Sequence, residues 1–128
     1  MNLTGIHHVS LVVKDIERAK AFYSDTLRLQ QIKRPPFTFV GAWYALGQQQ
    51  LHLIEDKQLE LREEEASIHT RRRHIAFRVS DFDETVRHLH DQGVAYIEKR
   101  FSTSGFHQVF VNDPDGNTIE CMSEFKPD

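Results

Sequence analysis

Residues 8–23 read HVSLVVKDIERAKAFY, and residues 74–90 read HIAFRVSDFDETVRHLH. Laid over each other, the two stretches match His8 with His74, Val13 with Val79, Asp15 with Asp81 and Tyr23 with Leu89. Each opens with the alternation of a half-buried strand. Each then meets an Asp that can cap a helix by accepting hydrogen bonds from orphan backbone N–H groups. The helices that follow carry apolar stripes at helical spacing: Ile16, Ala19, Phe22 and Tyr23 in the first, Phe82, Val86 and Leu89 in the second. The second stripe is narrower, because His88 stands where the first copy has Phe22. Glu84, three residues after Asp81, resembles a capping box, and Gly93 is placed to end the second helix.

Working outward, three strand-like stretches follow each helix, near 27–33, 39–46 and 49–55 and again near 94–100, 106–112 and 117–123. Each half therefore reads β-α-β-β-β, and the expected class is α+β. Module 1 covers about 5–55 and module 2 about 73–124, with the polar stretch 56–72 as a linker inside one domain spanning 1–128.

The bulk numbers agree with a single domain. The chain has 128 residues, 39% of them apolar, including nine Phe, which is enough to bury a core. One cysteine excludes a disulfide framework and a thiol-rich zinc site, and fits a reducing cytoplasm. The opening MNLTGIHHVS lacks the basic and apolar regions of a signal peptide, and no run approaches a membrane span. A net charge of −3 gives no electrostatic case for nucleic acid, and Arg71–Arg73 reads as part of a solvated linker.

Strand side chains alternate between faces, so parity sorts the polar residues. Val9, Leu11 and Val13 face the helix, leaving His8, Ser10 and Val12 opposite. Ile75, Phe77 and Val79 do the same, leaving His74, Ala76 and Arg78. In the closing strands Gln50, His52 and Ile54, and then Glu120 and Met122, face away from the helices. His8 thus corresponds to His74, and His52 to Glu120, all on the face opposite the helices. Three imidazoles and one carboxylate form a donor set suited to a divalent transition metal such as Zn, Ni, Co, Mn or Fe. Metal bonding would offset the cost of taking Glu120 out of bulk water. The alternative is that each is a separate exposed polar residue on a one-sided sheet. His7 has the wrong parity for a ligand, His69 lies in the linker, and His88 and His90 lie on the second helix. His107 is the reserve candidate.

The segment KRPPFTFVGAWY, 33–44, supplies a candidate substrate lining. Phe37, Phe39 and Trp43 suit an apolar wall, with core packing as the alternative. Lys33, Arg34 and Arg100 are candidates to meet an anionic substrate, and Arg78 shares the parity of His74, with a rim salt bridge as its alternative. Cys121 points towards the helix and reads as a core thiol.

On HHVSLVVKDIERAKAFY, GAWYALGQQQLHLIE, RHIAFRVSDFDE and FVNDPDGNTIECM, the chain resembles the vicinal oxygen chelate superfamily. That group includes glyoxalase I, fosfomycin-resistance thiol transferases, methylmalonyl-CoA epimerase, bleomycin-resistance proteins and extradiol dioxygenases. The resemblance implies paired βαβββ modules in a curved, open mixed sheet around a metal, usually in a homodimer with a small-molecule substrate. It carries the common metal triad onto His8, His74 and Glu120. His52 takes the fourth position, where glyoxalase I has glutamate and the epimerase glutamine. By the same resemblance Glu120 is a candidate to move a proton as well as to hold the metal. If only the triad binds, His52 is a candidate general base. The expected function is a metal-dependent, glyoxalase-like lyase or isomerase acting on a small oxygenated or thiol-conjugated substrate. A fosfomycin-type thiol transferase and a non-catalytic bleomycin-resistance-like binding protein are the alternatives.

Overall fold

A computed structural model describes residues 1–125, and the chain divides into two compact units, 1–60 and 61–128. The first unit contains β1 (His8–Val13), α1 (Ile16–Lys20), a π-helical segment (Ala21–Thr26), β2 (Gln30–Ile32), β3 (Gly41–Leu46) and β4 (Gln49–Glu55). The second contains a short 3-10 turn (Glu63–Ala66), β5 (His74–Arg78), α2 (Phe82–Asp91), β6 (Ile97–Lys99), β7 (Phe106–Asn112) and β8 (Thr118–Glu124). Each unit folds its strands into a four-stranded mixed sheet, ordered β1-β4-β3-β2 in one and β5-β8-β7-β6 in the other. The α+β class and the two βαβββ modules are what the structure shows.

The register follows from local chemistry. Asp15 accepts hydrogen bonds from the backbone N–H groups of Glu17 and Arg18 at 3.0 and 3.1 Å, and the Glu55 carboxylate accepts that of Ile16 at 3.0 Å. Asp81 caps α2 in the same way, accepting from Glu84 N at 3.0 Å. Gly93, at φ 71°, closes α2 in the left-handed conformation that only glycine adopts without cost.

The first helix differs from the regular amphipathic helix its stripe predicts. After five α-helical residues it widens, and Leu27 N–H donates to Phe22 O five residues back at 2.9 Å. Phe22 and Tyr23 lie in this wider turn and are both buried, their rings edge-on at 5.0 Å. Ser24 then meets the buried Tyr44 hydroxyl at 2.8 Å.

Strand parity holds on β1 and β5. Val13 is buried and Val9 and Leu11 half-buried, while His8, Ser10 and Val12 are exposed. Strands β4 and β8 are buried on both faces over 51–53 and 118–122. The turn before β8 is built by Asp113, whose carboxylate accepts from Asp115 N, Asn117 N and Asn117 Nδ2, each at 2.8 Å. Gly116 sits in it at φ 82°, and a Cβ there would fall 2.7 Å from Leu61 Cδ1 and 2.8 Å from Glu65 O. This turn sets Thr118 opposite Asn112 and Glu120 opposite Phe110.

Candidate metal centre

In the first unit β1 and β4 run parallel, with His8 opposite Gln50 and Ser10 opposite His52. His8 and His52 are therefore diagonal neighbours, and their rings stack at 4.1 Å. Trp43, directly opposite His52 on β3, stacks on it at 3.9 Å and only 2° from parallel. His52, held between two rings, is 7% exposed. Its Nε2 bonds to Gln50 Oε1 at 2.9 Å, which leaves Nδ1 with the lone pair. His8 shares a proton between its Nδ1 and His7 Nδ1 at 2.8 Å, leaving its Nε2 available. Burial, then the neighbouring His8 and His7 imidazoles and Arg34, hold His52 below the ordinary histidine pKa. It is therefore neutral, the form that ligates metal or accepts a proton.

The second unit repeats the diagonal. On the parallel pair β5 and β8, His74 is opposite Thr118 and Ala76 is opposite Glu120. His74 Nδ1 lies 2.7 Å from the Arg72 carbonyl, which can only accept, so this nitrogen carries hydrogen. Its Nε2 faces Glu120 Oε1 at 3.1 Å. A neutral His74 would then aim a lone pair at a carboxylate oxygen, and such a pair needs a cation between them, a proton or a metal. The spacing suits two donors on one ion, given bonds of about 2.0–2.2 Å. A carbonyl on the remote nitrogen is also how metal-bound histidines are commonly oriented. Glu120 is 4% exposed, with Phe110 opposite it and the Gln108 amide 3.4 Å from its Oε2.

The four expected donors thus form two like-placed pairs, His8 with His52 and His74 with Glu120. By chemistry each pair suits a divalent metal: imidazoles with one nitrogen occupied, and a carboxylate sheltered from water. Among the described residues no three His, Cys, Asp or Glu side chains are gathered into a single cluster.

The remaining candidates separate by face. Trp43 joins the His52 stack, and Phe37 and Phe39 adjoin it, with Phe37 6.1 Å from the Trp43 ring and 5.0 Å from Phe39. Arg78 lies on the His74 side of its strand, but Glu124 takes its guanidinium at 2.7 Å. Arg100 is drawn to the start of α2, bonded to Asp83 at 2.6 Å and to Glu98, and lies over the Phe82 ring. It does not join the four candidate donors. The reserve candidate His107 is corrected: it packs on Phe82 of α2 at 5.4 Å, on the helix side, as the alternation from Gln108 requires. Cys121 is buried against the helix side, and burial pushes its thiol up to about 11.

Three contributors escaped the sequence reading. Gln50 and Gln108 share the parity of the donors, a signal that was legible, yet only the register shows that they touch His52 and Glu120. His7 lies just before β1, where strand parity no longer governs its direction.

Comparison with known proteins places these features in context. The family model described as Glyoxalase/Bleomycin resistance protein/Dioxygenase superfamily matches residues 5–121. Glyoxylase I 4 of Arabidopsis thaliana is 28% identical over 96% of this chain and 72% of its own length. The metallothiol transferase FosB of Staphylococcus saprophyticus is 30% identical over 92% of this chain and 76% of its own. Among solved structures, a glyoxalase family protein from Enterococcus faecalis superposes with a TM-score of 0.75 at 26% identity, covering 96% of this chain and all of that one. No helix among the described residues is long and apolar enough to cross a membrane.

Proposed function

Because this chain belongs to the Glyoxalase/Bleomycin resistance protein/Dioxygenase superfamily, we propose that it is a metal-dependent, glyoxalase-like enzyme of lyase or isomerase type. Its substrate is a small oxygenated or thiol-conjugated molecule. The observation that carries the reading is the His74–Glu120 pair, a buried carboxylate facing an imidazole nitrogen whose partner nitrogen is already committed. The proposed ligands are His8, His52, His74 and Glu120, and the proposed form is a homodimer.

A bound divalent ion would supply Lewis acidity, stabilising negative charge that develops on a substrate oxygen. The chain's own residues do the rest. Glu120 moves the proton on its Oε2, the oxygen that faces the Gln108 amide rather than His74 Nε2. Phe110, opposite Glu120, and the stack of Trp43 on His52 limit the entry of water. His52, kept neutral by burial, is the second proton acceptor if it is not a ligand. The Phe37, Phe39 and Trp43 rings take the apolar part of the substrate.

Similarity to the staphylococcal metallothiol transferase supports a second reading, thiol transfer to an electrophile such as fosfomycin. Metal analysis of protein purified without added metal is the first test. A first-row metal present, or bound stoichiometrically on titration, is expected. No metal under either condition would sink both enzyme readings and leave a binding protein of the bleomycin-resistance kind. Turnover of a methylglyoxal–thiol hemithioacetal against fosfomycin conjugation then separates the two enzyme readings. Light scattering checks the dimer, and a monomer mass removes it.

A further inference from the structure

The cation placed beside the His52 stack is neither Arg78 nor Arg100 but Arg34. Its guanidinium lies 4.9 Å from the Phe37 ring centroid and 4.7 Å from that of Phe39. Nη2 donates to the Phe39 carbonyl at 2.7 Å, closing a loop that begins with Pro35 and Pro36. Prolines hold φ near one value, and Phe37 N–H donates to Pro35 O at 2.8 Å, so little freedom is left in this loop. The guanidinium lies down on Gly41, the first residue of β3. A Cβ there would come within 3.1 Å of both Nε and Nη2. This charge is built into place rather than swinging in solvent.

It is also underused. A guanidinium has five N–H donors. The structure shows one of them spent on a carbonyl, and Nε is buried with no partner among the described residues. Arg78 and Arg100, by contrast, are satisfied by carboxylates. A guanidinium held in place with donors left over on its Nη groups is a ready partner for an oxyanion, which it can meet in the bidentate geometry that arginine matches. From Arg34 the rings run continuously through Phe37 and Trp43 to His52. Phe37 and Phe39 are each 45% exposed, a large apolar surface left open beside a charge.

We propose that Arg34 is the anion-binding residue of the substrate site, and that the substrate joins a carboxylate or similar oxyanion to an apolar portion that lies on Phe37, Phe39 and Trp43. The inference rests on reading the His52 face as a substrate site, and it names the class of molecule that site takes.

Trp43 is the single tryptophan of the chain, so its emission reports on this strip. The test titrates phenylacetate and 3-phenylpropionate, each beside its neutral amide, into protein as purified and after chelation. Saturable emission changes are expected in the millimolar range. Each carboxylate should bind about tenfold tighter than its amide, the scale of one charge-assisted hydrogen bond. Arg34→Gln, which removes the charge, should erase that preference and bring each acid to the affinity of its own amide. Arg34→Lys should keep part of it, and circular dichroism confirms that the variants fold. Equal binding of acid and amide, no saturable response to the acids, or a preference that survives Arg34→Gln overturns the proposal. Because the chelated protein is titrated separately, a failed metal reading and a failed anion subsite are told apart.

Discussion

At the scale of the residue, His7 and His8 are adjacent and chemically identical, yet they have different tasks. His8 opens β1 and stacks on His52, while His7 bonds its Nδ1. His8→Ala should abolish metal uptake, measured by titration calorimetry or elemental analysis. His7→Ala should keep it with an affinity lowered about tenfold, the usual cost of removing an orienting partner. The reverse order would overturn the face assignment of β1. Cys121 offers a pH test. Its ordinary pKa of 9.0 is pushed up to about 11, by burial first and then by the nearby Glu120 carboxylate. The neutral thiol is the favoured folded form, so its contribution to stability is whole below about 9 and is lost as pH rises towards about 11. Denaturant unfolding should show that decline, and Cys121→Ser should flatten it. Iodoacetamide should label Cys121 at neutral pH only after unfolding.

The elements show how much depends on turns. The Asp113 turn holds β8 in the one register that puts Glu120 beside His74, since a shift of one residue would send every β8 side chain to the other face. Gly116 is required there twice over, by its φ of 82° and by the closeness of Leu61 and Glu65. Gly116→Ala should cost more than about 1 kcal/mol in denaturant unfolding. It should also weaken metal binding, although residue 116 touches no donor. Unchanged stability would mean that the turn is not the constraint described. The π-helical segment makes the same point for α1: apolar spacing showed that Phe22 and Tyr23 belong in the core, but not that the helix widens where it buries them.

At the scale of the whole molecule, the repetition of one design is the main fact. Each unit places its pair of donors diagonally across a parallel strand pair, β1 with β4 and β5 with β8. If these pairs bind metal in the folded state alone, saturating metal must raise the melting temperature. At a hundredfold excess over the dissociation constant the gain is about 2.7 kcal/mol. Chelation should reverse it, and His74→Ala or Glu120→Gln should remove the metal-dependent part. A melting temperature indifferent to metal would contradict a donor set held ready by the fold.

Much of this was legible in the sequence because it rests on local rules. Alternation along a strand sorted His8 and His52, and likewise His74 and Glu120, onto the face of their own sheet away from the helix, and the match of 8–23 with 74–90 made His8 and His74 equivalent. Asp15 and Asp81 announced the helix starts, and the strand stretches fell within a few residues of their observed limits. What only the tertiary structure decided lies between strands. It placed Trp43 on His52, gave Arg72 the nitrogen that frees the other for Glu120, laid Arg34 on Gly41, and turned His107 and Arg100 towards α2. Those outcomes depend on which residue stands opposite which across a sheet. That register is set by turns and by packing of residues far apart in the chain, whereas alternation and capping need only neighbours.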